Sequence, residues 1–214
     1  MSFWERDYFK ELSSKHCIID YCDYLKFLKK LPDNSVSLIV TDPPYGLRFK
    51  SLYQGLARES QRILTPNGSL FIMMGEYHLL SLLNEMAKYL NHQRNIALYM
   101  EGSRAILKEK QIRNKKKDIA WFCKSNKPLI RDSIADIFVS KSKDKEYHKW
   151  GQPVNVFSYI IEKMSFKNSL VVDPFLGGGT IAEAALLLDR KFLGCDNDLL
   201  AFKRSQERIT KLGY

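Results

Sequence analysis

The sequence predicts a single α/β domain built on one open, doubly wound, mostly parallel sheet. Three observations point there. Strand-like runs alternate with helical ones over most of the 214 residues, the order that winds helices onto both faces of a parallel sheet. Those strand-like runs are apolar almost throughout, as strands covered on both faces must be. The stretch LVVDPFLGGGTIAEAALLLDRKFLGCDND, 170–198, reads as strand, glycine-rich turn, helix, strand and acidic strand end.

From the N-terminus, DYLKFLKK at 23–30 places Leu25 and Leu28 at helical spacing, and LPDNS at 31–35 supplies turn residues. Val36 to Val40 is β-branched and apolar, a buried strand that runs out at Asp42. Leu52 to Leu64 reads as an amphipathic helix closed by TPNG at 65–68, and SLFIMM at 69–74 as the next buried strand. Leu79 to Leu90 is helical and NIALYM at 95–100 strand-like. The character then changes between Gly102 and Lys149, where KEKQIRNKKK (108–117) and KSKDKEYHK (141–149) flank a single apolar strand, DIAWF at 118–122. We read 102–149 as a small basic insert within a single domain spanning 1–214. Pro153 suits the first turn of a helix through Lys163. There follow a strand at 169–173, a helix from Thr180 to Leu188, a strand at 191–196 and a final helix from Leu199 to Lys211.

With 45% hydrophobic and 12% aromatic residues the chain can bury one core, and it is short for two. A formal net charge of +10 suits a polyanionic partner. The four cysteines, Cys17, Cys22, Cys123 and Cys195, form no CxxC pair and have no histidine at ligand spacing, which speaks against a disulfide scaffold and a metal site. MSFWERDYFKELSSKH lacks a signal-peptide core, and no run is apolar enough to span a bilayer. The expectation is a cytoplasmic protein that needs no metal and no membrane.

Chemistry gathers at two strand ends. Too few strands follow Asp173 to complete a sheet, so the N-terminal half must share it, and Asp42 and Asp173 then stand on one carboxyl-end rim, where open parallel sheets bind ligands. Gly177, Gly178 and Gly179 let the backbone approach a ligand whose polar groups meet N–H groups at the start of the Thr180 helix. Asp196 falls where a carboxylate accepts from ribose hydroxyls. The glycines depart from G-x-G-x-x-G, which suggests a nucleoside without a pyrophosphate. In Asp42-Pro43-Pro44-Tyr45 the prolines remove two donors, leaving the Asp42 carboxylate and the Pro43 carbonyl as acceptors suited to an exocyclic amine, with the Tyr45 ring as a stacking face.

On these motifs the chain resembles the DNA amino-methyltransferases, which move the methyl of S-adenosyl-L-methionine to adenine N6 or cytosine N4. LKKLPDNSVSLIVTDPPYGL is similar to the family's catalytic stretch, EYHKWGQPVNVFSYIIEKMS to its cofactor-side helix entry, and the 170–198 run to its cofactor motif. Catalytic motif first and cofactor motif last is the order of the permuted β group, and HKWGQ at 148–152 resembles phage- and plasmid-type adenine enzymes. The resemblance implies a Rossmann-like fold and a flipped base held by Asp42, Pro43, Pro44 and Tyr45. It implies a cofactor held by Asp23, Gln152, Pro153, Asp173, Phe175, Gly177, Gly179, Thr180 and Asp196. DNA phosphates would meet Lys108, Lys110, Arg113, Lys115, Lys116 and Lys117. A prokaryotic or phage setting, a restriction endonuclease or other recognition partner, and a homodimer are further expectations. Cytosine N4 as acceptor, or a non-catalytic nucleic-acid-binding protein, are the alternatives. Gly178, Ile181 and Cys22 stand where members often carry serine, threonine and glycine.

Overall fold

The first strand of the sheet lies where the sequence pattern showed none. In the computed structural model, which describes residues 7–101, 105–107, 111–140 and 154–214, a short helix α1 (Tyr8–Glu11) is followed by β1 (Cys17–Tyr21). The acid near the end of CIIDY hides this strand from a hydrophobicity reading. Asp20 is nonetheless buried, and the Tyr8 hydroxyl donates to its Oδ2. Helix α2 (Tyr24–Lys29) is capped by Asp23, whose Oδ1 accepts from the amides of Leu25 at 3.0 Å and Lys26 at 3.2 Å. Then come β2 (Val36–Thr41), α3 (Lys50–Ile63) and β3 (Leu64–Met74). The TPNG stretch expected to be a turn lies inside β3. A register shift against β2, from Val36↔Leu64 to Leu38↔Ser69, absorbs it as an irregularity.

Helix α4 (Leu79–Met86) ends short of the expected Leu90, and β4 (Asn91–Met100) starts earlier than the expected Asn95. Strands β5 (Ala105–Leu107) and β6 (Ile112–Asn114) pair only with each other, antiparallel. The chain continues through β7 (Lys116–Cys123), β8 (Ile137–Ser140), α5 (Val154–Met164), β9 (Leu170–Asp173), α6 (Thr180–Leu187), β10 (Lys191–Asp196) and α7 (Leu199–Lys211).

The main sheet runs β1-β10-β9-β2-β3-β7-β4-β8. Only the pairs of β7 with β3 and β4 are antiparallel. Each central strand divides its side chains between two cores. Ile39, Leu70 and Ile72 pack with Phe27 and Leu28 of α2, Tyr53 and Leu56 of α3 and Leu82 of α4. Leu38, Val40, Phe71 and Met73 face the other way onto Phe157 and Ile160 of α5, Ala182 and Ala185 of α6 and Ile209 of α7. Two buried faces per strand explain the unbroken apolar runs, and the result is the expected doubly wound, mostly parallel sheet.

The antiparallel register Met74↔Asp118 brings the head of β7 to the carboxyl end of β3, and Tyr99↔Lys116 brings the end of β4 there too. The β5–β6 hairpin between them therefore leaves the sheet at that same rim. Among the described residues no helix is long and apolar enough to cross a membrane.

Candidate active site

Strands β2 and β9 lie side by side and parallel, with Leu38↔Val171 and Ile39↔Val172 in register. At their carboxyl ends the Thr41 hydroxyl donates to Asp173 Oδ1 at 2.7 Å, a bond between residues 132 positions apart in the chain. It ties the last residue of one strand to the last residue of the other. The DPPY segment and the glycine turn thus start from adjoining strand ends, where the topological argument placed them.

Asp42 and Tyr45 are half-buried and Pro43 is buried. The Tyr45 hydroxyl donates to Asp42 Oδ1 at 2.5 Å and accepts from Lys117 Nζ at 3.2 Å. The same ammonium lies 5.0 Å from the ring centroid, a cation–π distance. Burial above all, then the charge of Asp42, pushes the Tyr45 hydroxyl well above an ordinary phenol, so it remains a neutral donor. Tyr53 of α3 steadies the turn by donating to the Pro44 carbonyl at 3.3 Å. Gly75 matters by close approach, since a β-carbon there would lie 3.0 Å from Tyr45 Cβ and 3.1 Å from Cγ.

On the neighbouring strand end Asp173 is buried. Its Oδ1 accepts from Thr41 and from the Phe175 amide at 3.0 Å, while Oδ2 has no partner among the described residues. Burial, with the negative charges of Asp196 and Asp42 adding and the two hydrogen bonds opposing, pushes its carboxyl up to about 7. Gly177 and Gly179 have φ of +52° and +77°, a region that disfavours side chains. A β-carbon on Gly177 would meet only the Phe175 carbonyl oxygen at 3.9 Å, so that side of the turn is open. One on Gly179 would sit 3.1 Å from Ser205 Cβ of α7.

Asp196 joins the turn to β10. Its Oδ2 accepts from the Gly177 amide at 2.7 Å and its Oδ1 from the Asp198 amide at 2.8 Å. The Gly177 N–H is thus held by a carboxylate, and that of Gly179 is bonded to the Leu176 carbonyl at 2.9 Å. Asp23 stands one strand over, because Tyr21 pairs with Asp196 and the Cys22 amide donates to the Asp196 carbonyl. Beside it the Tyr24 ring lies 4.9 Å from that of Phe175. Asp23, Asp173, Phe175, Gly177 and Asp196 therefore gather around the carboxyl ends of β1, β10 and β9. Thr180 is turned away, its hydroxyl accepting from the buried Arg208 of α7 at 2.8 Å.

The basic residues divide. Arg113 and Lys115 are exposed. Lys116 Nζ is bound to Asp118 at 2.7 Å and lies 3.5 Å from Glu76, while Lys117 turns to Tyr45 on the opposite side of β7. Lys108, Lys110, Gln152 and Pro153 lie outside the described residues. Thr41, Gly75 and Arg208 touch the candidate site and were not singled out in the sequence reading, and Lys117, expected at DNA phosphates, contacts Tyr45. Only Thr41, one residue ahead of the motif, carried a positional signal.

A family model described as DNA methylase, of the N6/N4 type, matches residues 36–207. The Type II methyltransferase M.HpaI of Haemophilus parainfluenzae is 23% identical over 224 residues, covering 86% of this chain and 71% of the relative. M2.LlaDCHI of Lactococcus lactis subsp. cremoris is 24% identical over 247 residues, covering 92% and 90%. Among solved structures, the cytosine-N4-specific PvuII DNA methyltransferase superposes with a TM-score of 0.78 at 19% identity, covering 92% of this chain and 91% of the other. M1.HpyAVI, solved as its SAM complex, gives 0.75 at 19% identity, covering 90% and 98%.

Proposed function

The chain belongs to the N6/N4 DNA methylase family, and from that premise we propose that it methylates adenine N6 of a base turned out of DNA, with S-adenosyl-L-methionine as donor. The observation that carries this reading is the Thr41–Asp173 hydrogen bond. It joins the strand ends that carry the DPPY segment and the glycine turn, which supports a direct transfer between two bound molecules.

The residues present fit the donor. Asp173 offers a buried carboxylate oxygen without a partner among the described residues, suited to an ammonium group. Asp196 keeps lone pairs for ribose hydroxyls beyond its two amide donors, and the turn is open at Gly177. Bound there, S-adenosyl-L-methionine supplies an electrophilic sulfonium methyl. The chain's own part is to prepare the nucleophile. An aryl amine's lone pair is delocalised into its ring. Asp42 and the Pro43 carbonyl accept from the two N–H groups and favour a nitrogen whose lone pair points away from the ring plane, toward the donor. The half-buried Tyr45 ring gives the base a surface to stack on.

A cytosine N4 amine would meet the same two acceptors. The aspartate of DPPY and the HKWGQ run support adenine. Digestion of DNA methylated with tritiated cofactor, followed by chromatography against N6-methyladenine and N4-methylcytosine, tests the choice, and label in methylcytosine alone sinks it. Asp42→Ala is expected to abolish transfer while calorimetric binding of S-adenosylmethionine persists, because Asp196, Leu176 and Arg208 hold the glycine turn. Retained transfer would remove Asp42 from the mechanism. Bacterial relatives support a prokaryotic setting.

A further inference from the structure

The first two lysines of β7 point to opposite sides. Lys116 shares a side with Asp118, to which it is ion-paired. Lys117 shares a side with Ile119 and Trp121, which pack in the same core as Val40 and Phe71, with Tyr45 against its edge. Its ammonium thus starts from an interior strand of the sheet, paired with Leu98 of β4 at Lys117 itself and with β3 from the next residue on, where Asp118 meets Met74. That is a rigid base from which to hold another side chain.

An ammonium has three donors and no acceptor. Against Lys117 the Tyr45 oxygen can only accept, which leaves the hydroxyl hydrogen for Asp42 Oδ1, the bond observed at 2.5 Å. The second contact, Nζ at 5.0 Å from the ring centroid, restrains the ring itself. A phosphate contact would instead leave the ammonium directed outward, as Arg113 and Lys115 are exposed.

We propose that Lys117 is a positioning residue for methyl transfer, which fixes the Tyr45 ring and hydroxyl, and through the hydroxyl the Asp42 carboxylate, in the orientation that the target amine meets. This rests on the reading of the site as a DNA amine methyltransferase.

The test separates rate from affinity. Lys117→Met keeps most of the stem and removes the charge. Its single-turnover methyl transfer at saturating DNA is expected to fall about 10- to 100-fold, the scale of a misoriented reacting group. The dissociation constant for DNA, and its slope against log salt concentration, should stay at the wild-type values. Tyr45→Phe should lose part of the rate, and the double variant clearly less than the product of the two single losses, because both remove the hydrogen-bonded link to Asp42 and only the ring contact is left to Lys117 in Tyr45→Phe. Lys117→Arg should recover part of the rate, and it carries the same comparison if Lys117→Met fails to fold. A full rate in Lys117→Met with a salt slope smaller by about one would make Lys117 a phosphate contact and overturn the proposal, as would multiplicative losses in the double variant. A wild type that transfers no methyl to any DNA would overturn the reading of the reaction and this role with it. An active wild type with an unaffected Lys117→Met overturns the role alone.

Discussion

Asp173 is buried at a cost in stability near neutral pH. Its carboxyl is buried, and its ordinary value near 4 is pushed up to about 7 by that burial and by Asp196 and Asp42. The sign follows from proton uptake. The folded protein holds this proton over a pH range in which the unfolded chain has released it, so the stabilisation is complete below about pH 4 and disappears as pH rises through about 7. The melting temperature of the ligand-free protein is therefore expected to fall between pH 5 and 7.5 relative to that of Asp173→Asn, and parallel profiles would show that Asp173 does not titrate there. Asp42, Tyr45, Asp173 and Asp196 were all legible, because each follows a strand or a glycine turn that sequence patterns mark. Lys117 was not, since a charge inside the run KEKQIRNKKK looks like its neighbours until strand register decides which side of β7 it faces.

Helix α7 acts on the glycine turn from behind. Arg208, buried, donates to the Gly178 carbonyl at 3.0 Å and to Thr180, and its Nε lies 2.6 Å from Glu183 Oε2. Arg208→Ala would strip a buried carbonyl of its donor and break an ion pair that is buried on the arginine side, a loss of about 3 kcal/mol. Chemical denaturation should show that loss, and calorimetry a weaker affinity for S-adenosylmethionine. Unchanged values for both would mean that α7 does not shape the turn. Gly179→Ala should cost about 1–2 kcal/mol from backbone handedness, before the crowding against Ser205 is counted. Elements with unbroken apolar runs, β2, β9 and β10, were read within a residue of their ends. Strand β1 escaped because it carries a buried acid, and β8, with Ile137 and Val139 exposed at the sheet edge, because four residues give periodicity little to act on.

The whole molecule carries a formal charge of +10, and the β5–β6 hairpin leaves the sheet at the rim that holds Asp42. If Arg113 and Lys115 meet phosphates there, replacing both with alanine should lower the slope of log affinity against log salt by about two, measured by fluorescence anisotropy on a labelled duplex. An unchanged slope would move the phosphate footprint elsewhere. The seam between β2 and β9 has a consequence of a different kind. Its two strands come from far-separated parts of the chain, with paired residues Leu38 and Val171, so the two halves of the reaction do not meet in a fragment that lacks either strand. A polypeptide interrupted before β9 can present an acceptor site with nothing to deliver, and one that begins after β2 can hold a donor with nowhere to send it. DNA modification is thereby an all-or-none property of the intact chain, and two halves made separately would report, by methylating DNA, that they had found each other.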